Sequence, residues 1–375
     1  MKINRLLIPA IIALFILSGC DHRAELISVV HEDGSIDKSI ILTEVDSSHI
    51  NENYFGISPK TGWAVEVKRV ESLDDDENEE PLQDLRDSVQ TEKKTDMQII
   101  FTKSFPSVES MNAELNQPVD TLFQVEAKFE KRFRWFYTYL DYSETYRAAD
   151  RFRVVKQADF FTKEEYEFIQ RLPARGKKVS AADSLYAEAL NKKIFDEYSM
   201  EGIIEEHFQF MRESIVKYNL GDDAVKKLED SRPGIVEILT ESDDEQGDDL
   251  VPTDDDLYLL ELVDSLVVPL PRPQMDADYI KFNDEFEKRL NFMSWVSDGT
   301  FTQRIEMPWE LVENNADSVD GNRLTWEPPL MRFLLTDYTM QATSRKMNLW
   351  AVIVSGLIVI LTLILYVRSG KKTNG

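Results

Sequence analysis

One cysteine, Cys20, stands in 375 residues, so no disulfide can form within the chain. The fold must hold by burial and hydrogen bonding alone. Histidine is nearly as scarce: His22, His31, His49 and His207 are scattered, and none joins a His-Glu-x-x-His pair, so zinc chemistry has no ligand set. Neither a Gly-x-Ser-x-Gly elbow nor a glycine-rich phosphate loop occurs, which removes two common catalytic signatures. No metal and no cofactor is implied. Positive charge is in deficit as well, with 43 Lys and Arg against 69 Asp and Glu and a formal net charge of -26. Such a balance excludes nucleic acid as a partner and broad adhesion to anionic lipid, because both require positive potential. Carboxylates are so numerous that choosing two as a glycosidase pair is arbitrary, since geometry and separated pKa values carry that assignment.

What the chain does have is an apolar run at each end. Leu349 to Val367 carries no charge, and only Trp350, Ser355, Gly356, Thr362 and Tyr366 break its aliphatic character. At 1.5 Å per residue it extends about 28 Å, close to the hydrocarbon thickness of a bilayer. Arg345 and Lys346 precede it, Arg368, Lys371 and Lys372 follow it, and Trp350 and Tyr366 stand at the two headgroup levels. A transmembrane helix at 348–367 is the expectation. The other run, Leu6 to Leu17, follows Lys2 and Arg5 and ends in small residues, which is the pattern of a secretory signal peptide at 1–19.

The residues Leu17-Ser18-Gly19-Cys20 resemble the lipobox of bacterial lipoproteins. That resemblance implies that Cys20 receives a diacylglyceryl thioether, that residues 1–19 are removed, and that the new amino group takes an acyl chain such as palmitate. In enterobacterial lipoproteins an aspartate after the cysteine resembles an inner-membrane retention signal, and Asp21 stands there. An uncleaved N-terminal anchor is the alternative. With Cys20 lipidated and 348–367 spanning, both ends are held by the inner (cytoplasmic) membrane, the main domain is extracytoplasmic in the periplasm, and 368–375 is a basic cytoplasmic tail.

Between the anchors, acidity concentrates in two stretches, Leu73 to Glu80 and Glu241 to Asp256. Solvated linker is the reading their composition favours. Calcium is the sharper alternative, but the spacing departs from the twelve-residue calcium loop and Gly247 is out of place.

Ala24 to Val30 and Ile36 to Val45, joined through Asp33-Gly34, predict a β-hairpin. Trp63 to Val70 predicts a strand with Trp63, Val65 and Val67 on one face, and Met97, Ile99 and Phe101 mark another. Ser107 opens a short helix through Leu115. The strongest β pattern follows: Phe123, Val125, Ala127, Phe129, Phe133, Trp135, Tyr137 and Tyr139 share one parity, and the run is too long for one strand, so a turn or bend is expected inside it. An aromatic stripe of this kind either lines a ligand groove or packs beneath helices. Phe133, Trp135, Tyr137 and Tyr139 are therefore the candidate ligand-face aromatics.

Helical signals then take over. Thr162 and Glu165 form a capping box, Ser180 repeats the logic for a helix to about Tyr198, and Ile204, Phe208, Met211 and Ile215 keep helical spacing up to Gly221. Two short pieces at 222–230 and 235–239 follow. Thr253 is read as the cap of a helix with apolar positions from Leu257 to Val267, ended by Pro269, Pro271 and Pro273, and Asp276 to Leu290 as the last helix. His207 reads as a packed or surface residue of a helix, not as a base. β signals return at Asn291 to Trp295, at Phe301 to Trp309, around the Asp320-Gly321-Asn322 turn, and at Phe333 to Leu335 and Tyr338 to Ala342.

The expected fold is α+β: an antiparallel β-rich body near the membrane with a large helical insertion and one C-terminal transmembrane helix. Its division is 20–156, a β-rich N-terminal half; 157–291, the helical insertion with its acidic linker; and 292–347, a β-rich return to the body. Asp320-Gly321-Asn322, followed by Trp326 and an arginine-preceded membrane helix, resembles the mycobacterial LppM-like lipoprotein family over about a third of the chain. That likeness implies a mixed α/β extracytoplasmic domain associated with envelope lipid or host-surface interactions, and it carries over no binding residue.

The function expected is a noncatalytic binding or scaffolding module beside the inner membrane, with membrane lipid through Cys20 and 348–367 and an envelope protein or lipid as partners. An extracytoplasmic hydrolase acting on envelope material and a signal-input module working through a membrane partner are the alternatives. The lipobox reading has a direct test. Cys20→Ala is expected to leave residues 1–19 attached and to abolish the lipid mass on the intact chain; normal processing and modification of that variant would show the assignment to be wrong.

Overall fold

A computed structural model of the chain describes residues 22–43, 54–71, 95–240 and 257–372. Its first element is the hairpin of β1 (Arg23–Val30) and β2 (Ile36–Thr43), paired antiparallel from Arg23↔Thr43 to Val30↔Ile36. Gly34 closes it at φ 89°, a backbone region open to glycine at little cost, while the Asp33 carboxylate accepts from the N–H and hydroxyl of Ser35 at 3.0 and 2.7 Å. Side chains of both strands alternate between a buried face and a half-exposed one.

β3 (Ala64–Glu71) and β4 (Thr95–Phe105) extend this sheet. Helix α1 (Val108–Leu115) follows, its N-terminus closed by a reciprocal Ser107–Ser110 box. β5 (Val125–Phe133) and β6 (Tyr137–Tyr146) begin a second sheet, and residues 134–136 between them are the turn that the long parity run required. The helices α2 (Gln157–Phe160), α3 (Lys163–Arg171), α4 (Ala181–Lys192), α5 (Met200–Lys217), α6 (Ala224–Thr240), α7 (Tyr258–Leu266) and α8 (Arg272–Asp298) come next. A π-helical turn, Lys193–Ser199, joins α4 to α5 without a break. The chain returns to strands with β7 (Thr300–Glu306), β8 (Glu310–Asn314), β9 (Ser318–Asp320) and β10 (Arg323–Trp326), then α9 (Leu330–Leu335), β11 (Tyr338–Met347) and α10 (Leu349–Lys372).

The first sheet has seven strands in the order β3-β4-β2-β1-β7-β10-β9, and the second has four in the order β5-β6-β11-β8. Neighbours are antiparallel except β1 and β7, which run parallel from Arg23↔Thr300 to Val29↔Glu306. The protein is thus mixed α+β. Leu26, Ile40, Phe301, Ile305 and Trp326 of one sheet and Val125, Leu140, Tyr146 and Met340 of the other belong to one apolar core. A separate core of Phe208, Met211, Leu228, Leu260, Val263 and Tyr279 holds α5 to α8 together. Helix α8 serves both: Met275 and Tyr279 lie in the helical core, while Phe292, Met293, Trp295 and Val296 lie in the core of the sheets.

Several expectations are corrected here. Asn291 to Trp295 is the last part of α8 and not a strand. Residues 292–296 are buried consecutively, so no wet face marks a period, and a short, mostly apolar run of that length reads equally as strand or helix. Leu330–Leu335 is a short helix for the same reason, with Phe333, Leu334 and Leu335 all buried. Asp298-Gly299 joins a helix to a strand instead of two strands. The pieces at 222–230 and 235–239 are one helix that passes through Pro233. Helix α7 starts beyond Leu257, which makes no side-chain cap, while Thr253 lies outside the described residues. On β3, the edge strand, Trp63 is buried nearby but Val65 and Val67 are exposed.

At Gly299 the two halves of the chain meet. The Thr300 N–H donates to the His22 carbonyl at 2.9 Å, and the His22 ring stacks on Trp295 with centroids 4.3 Å apart. A Cβ at Gly299 would stand 2.5 Å from His22 Nε2 and 2.8 Å from the Phe301 ring, so a side chain there forces the stack apart. Gly299→Ala is expected to destabilise the fold by about 1–3 kcal/mol, read from the denaturant midpoint of the detergent-solubilised chain; an unchanged midpoint would show that the junction tolerates extra volume.

Candidate functional site

The aromatic run resolves into two environments. Phe123, Val125 and Ala127 face the core between the sheets, and in β6 the buried parity changes to Leu140, Tyr142, Glu144 and Tyr146 because the intervening turn resets the alternation. Phe133 and Trp135 stand at the exposed tip of the hairpin, with Phe136 beside them. Tyr137 and Tyr139 lie half-buried on the outer face of β6, their ring centroids 6.4 Å apart. The Arg345 guanidinium sits over Tyr137 at 4.9 Å and that of Arg132 over Tyr139 at 5.7 Å. Arg132 also pairs with Asp141, whose carboxyl that hydrogen bond holds below its usual range.

The tip touches the apolar helix. Phe133 stacks on Trp350 with centroids 6.1 Å apart and an 8° interplanar angle, and Trp135 meets Trp350 edge-on at 5.4 Å. The Trp135 Nε1–H donates to Ser355 Oγ at 2.9 Å, more than a helical turn further along α10. Asn348, the single residue between β11 and α10, ties the turn down. Its N–H donates to the Phe136 carbonyl at 2.8 Å, its Nδ2 donates to the carbonyls of Arg134 at 2.8 Å and Trp135 at 3.3 Å, and its Oδ1 accepts from Thr138 Oγ1 at 2.9 Å. Its own carbonyl accepts from the N–H groups of Ala351 and Val352 at 2.9 and 3.3 Å, which closes the first turn of α10. Among the described residues α10 is the one helix long and apolar enough to cross a membrane, and its window Leu349–Tyr366 is almost wholly exposed.

The sequence brought Phe133, Trp135, Tyr137 and Tyr139 to notice but missed Asn348. A polar amide immediately before an apolar helix is a cap signal, and it was the one available clue. Phe133 and Trp135 meet the start of α10, while Tyr137 and Tyr139 lie opposite Met347 and Arg345 of β11; the two pockets described, of about 530 and 500 Å³, are lined by other residues. Cys20 lies outside the described residues, as do both acidic segments.

A second cluster resembles catalytic machinery in composition. Between the sheets, the Lys38 ammonium donates to Ser28 Oγ at 2.8 Å, Glu144 Oε2 at 2.6 Å and Tyr146 Oη at 3.1 Å, while Ser28 and Tyr142 donate to Glu144 Oε1, the latter at 2.7 Å. Lys38 and Glu144 are each 1% exposed. Burial alone would raise the Glu144 carboxyl, but the charge of Lys38 and the hydrogen bonds from Lys38, Ser28 and Tyr142 outweigh it and hold the group below its ordinary value. Burial and the Glu144 charge push both tyrosines well up, so they remain donors. An ammonium whose three protons are all donated has no lone pair to activate Ser28, and neither described pocket is lined by Ser28, Lys38 or Glu144. The cluster is a satisfied structural pair joining the sheets.

His207 is packed inside the helical core, beside Phe282 and Phe286 and 3.1 Å from the Tyr279 hydroxyl, and burial lowers its pKa to about 4. It is a neutral packing residue at neutral pH. No group of three or more His, Cys, Asp or Glu able to hold a metal ion occurs among the described residues.

Comparison with known proteins yields little. No protein-family model matches the chain, and no curated protein matches it. A solved structure, the folded domain of LppM from Mycobacterium tuberculosis, aligns with 87% of this chain and 91% of its own at 9% identity and a TM-score of 0.25. The likeness to that lipoprotein is weak, and neither fold nor function is drawn from it.

The buried pair makes a prediction with a definite sign. A carboxyl held low in the folded state stabilises the fold above its unfolded-state value, near 4.5, and that contribution is lost as pH falls through the lower folded value. Lys38→Met leaves a buried carboxylate alone and is expected to cost about 3–5 kcal/mol at neutral pH, whereas Lys38→Met combined with Glu144→Met costs less than the single change. Denaturant unfolding of the three proteins checks this; a double variant as unstable as the single one would show that the charge pair is not the source of the loss.

Proposed function

We propose that this protein is a cell-envelope lipoprotein of the inner membrane, a noncatalytic binding or scaffolding module that presents its α+β domain to an envelope protein or lipid at a set orientation. In this reading residues 1–19 are a signal peptide, Cys20 carries the lipid, α10 spans the bilayer, and the short basic tail is cytoplasmic. The observation that carries it is the Asn348 junction. One residue separates β11 from α10, and its amide and backbone bind all three carbonyls of the β5–β6 turn. A tether meant only to prevent escape needs no such contacts. A hydrogen-bonded junction restricts tilt between domain and helix, which is useful when a particular face must be shown to a partner in the same membrane.

The junction also favours a second reading, signal input through a membrane partner. β11 is paired on both sides, with β6 and β8, and leads into α10 through Asn348, so displacement within the sheet has a stiff path to the span. The hydrolase reading gains nothing from the sealed Ser28–Lys38–Glu144 cluster.

Crosslinking in intact membranes followed by mass spectrometry tests the leading function. Reproducible enrichment of an envelope partner is expected. No enrichment, together with turnover of an envelope substrate by the purified protein, would overturn it.

A further inference from the structure

The exposed tip of the β5–β6 hairpin is more apolar than an extracytoplasmic surface requires. Phe133, Trp135 and Phe136 are 58, 47 and 46% exposed, and Met347, Leu349 and Trp350 are exposed beside them. These side chains form one patch, since Phe133 and Trp135 both contact Trp350.

We infer that this tip is a wedge inserted in the outward leaflet of the bilayer, a membrane attachment separate from the span and from any lipid on Cys20. The inference rests on α10 crossing the membrane, as in the function proposed above. Three observations carry it. The first is depth. Ser355, which accepts from the Trp135 indole, lies six residues beyond Leu349, about 9 Å along the axis at 1.5 Å per residue. The apolar window begins at Leu349, so a helix placed to bury that window takes Trp135 into the leaflet with it. The second is satisfaction of the turn's carbonyls. Irregular backbone is costly in hydrocarbon unless its polar groups are bound within the protein. In this turn the carbonyls of Arg134, Trp135 and Phe136 all accept from Asn348, the Arg134 N–H donates to Tyr137 O at 2.7 Å, and the Trp135 indole N–H is bound to Ser355. The third is layering. Moving up the hairpin from the tip, the apolar patch gives way to the Tyr137–Arg345 and Tyr139–Arg132 pairs, and then to Asp141, Ser143 and Thr343 in a polar groove. That is the sequence of environments from hydrocarbon through headgroups to water, and amphipathic rings with cations belong at the middle level. Arg134, exposed at the tip itself and without an acidic partner among the described residues, is placed to reach back to a lipid phosphate.

The test uses the full chain in membranes, with a benzoylphenylalanine photocrosslinker at one position at a time. Phe136 probes the wedge and Ile358 the span. Leu185 is the control; it is 68% exposed on α4, whose π-helical continuation is tied through Tyr198 to Asp150 past the far end of β6. After illumination, the mass of the crosslinked chain reports whether lipid was captured. Lipid adducts at Phe136 as abundant as at Ile358, with none above background at Leu185, are the expected result. Adducts at Ile358 but none at Phe136, or capture of protein instead of lipid at Phe136, would overturn the wedge and leave the proposed function standing. Loss of adducts at Ile358 would remove the span, and both readings would fall together.

Discussion

The parallel pairing of β1 with β7 is the constraint on which the architecture depends. Strands this far apart in sequence, Arg23–Val30 and Thr300–Glu306, become neighbours in one sheet. Parallel neighbours cannot be joined by a tight turn, so the chain between them must leave the sheet and return. Strands β5 and β6 of the four-stranded sheet and the helices α2 to α8 lie on that excursion, and β8 and β11 complete that sheet after the return. The excursion is closed by α8, which is long enough to leave the helical core with one end and enter the core between the sheets with the other. The His22–Trp295 stack and the Thr300–His22 hydrogen bond fasten the point of return. The described domain therefore begins beside the place where its last group of strands, β7 to β11, starts.

The second constraint lies across the sheets. A buried lysine and glutamate add little net stability compared with apolar residues of the same volume, because each must be stripped of water. What the Lys38–Glu144 pair adds is direction. Its partners Ser28, Tyr142 and Tyr146 come from β1 and β6, so the polar network is fully met in one register of one sheet over the other. A slip of one residue along a strand would turn Lys38 or Glu144 to the half-exposed face and leave its partner's charge buried alone, which is a penalty that aliphatic packing alone would not impose.

Legibility followed wetness. At several solvent-facing caps and turns the pattern of residues named the element: the Asp33-Gly34 hairpin, the Thr162–Glu165 capping box, the Ser180 cap, and the Asp320-Gly321-Asn322 turn between β9 and β10 all stand where expected. Two of the misreadings fall where no face is wet. Residues 292–296 and Phe333 to Leu335 are buried all round, so periodicity had nothing to report and length was too short to arbitrate. Phe133 and Trp135 share the parity of Phe123 and Val125, yet the turn at 134–136 separates their environments; parity is a local property and does not survive a change of strand. Asn348 escaped notice because its role is fixed by three carbonyls more than two hundred positions earlier, and no short window of sequence contains both partners.

The net charge of the chain does not oppose the proposed placement of the domain beside a bilayer. Electrostatic influence is screened over about 8 Å at physiological ionic strength, so a net charge of -26 spread through the whole molecule acts on the membrane only through the residues nearest to it. On the strands that lead to the start of α10 those residues are Lys131, Arg132, Arg134, Arg345 and Lys346, countered by Glu32, Glu130, Asp141 and Glu310. Five cations against four carboxylates leave this foot close to neutral while the chain as a whole is strongly negative. In the placement proposed above, anionic headgroups would repel the acidic body more than that aromatic foot. Such a distribution, together with the Asn348 junction, would favour one orientation on the membrane.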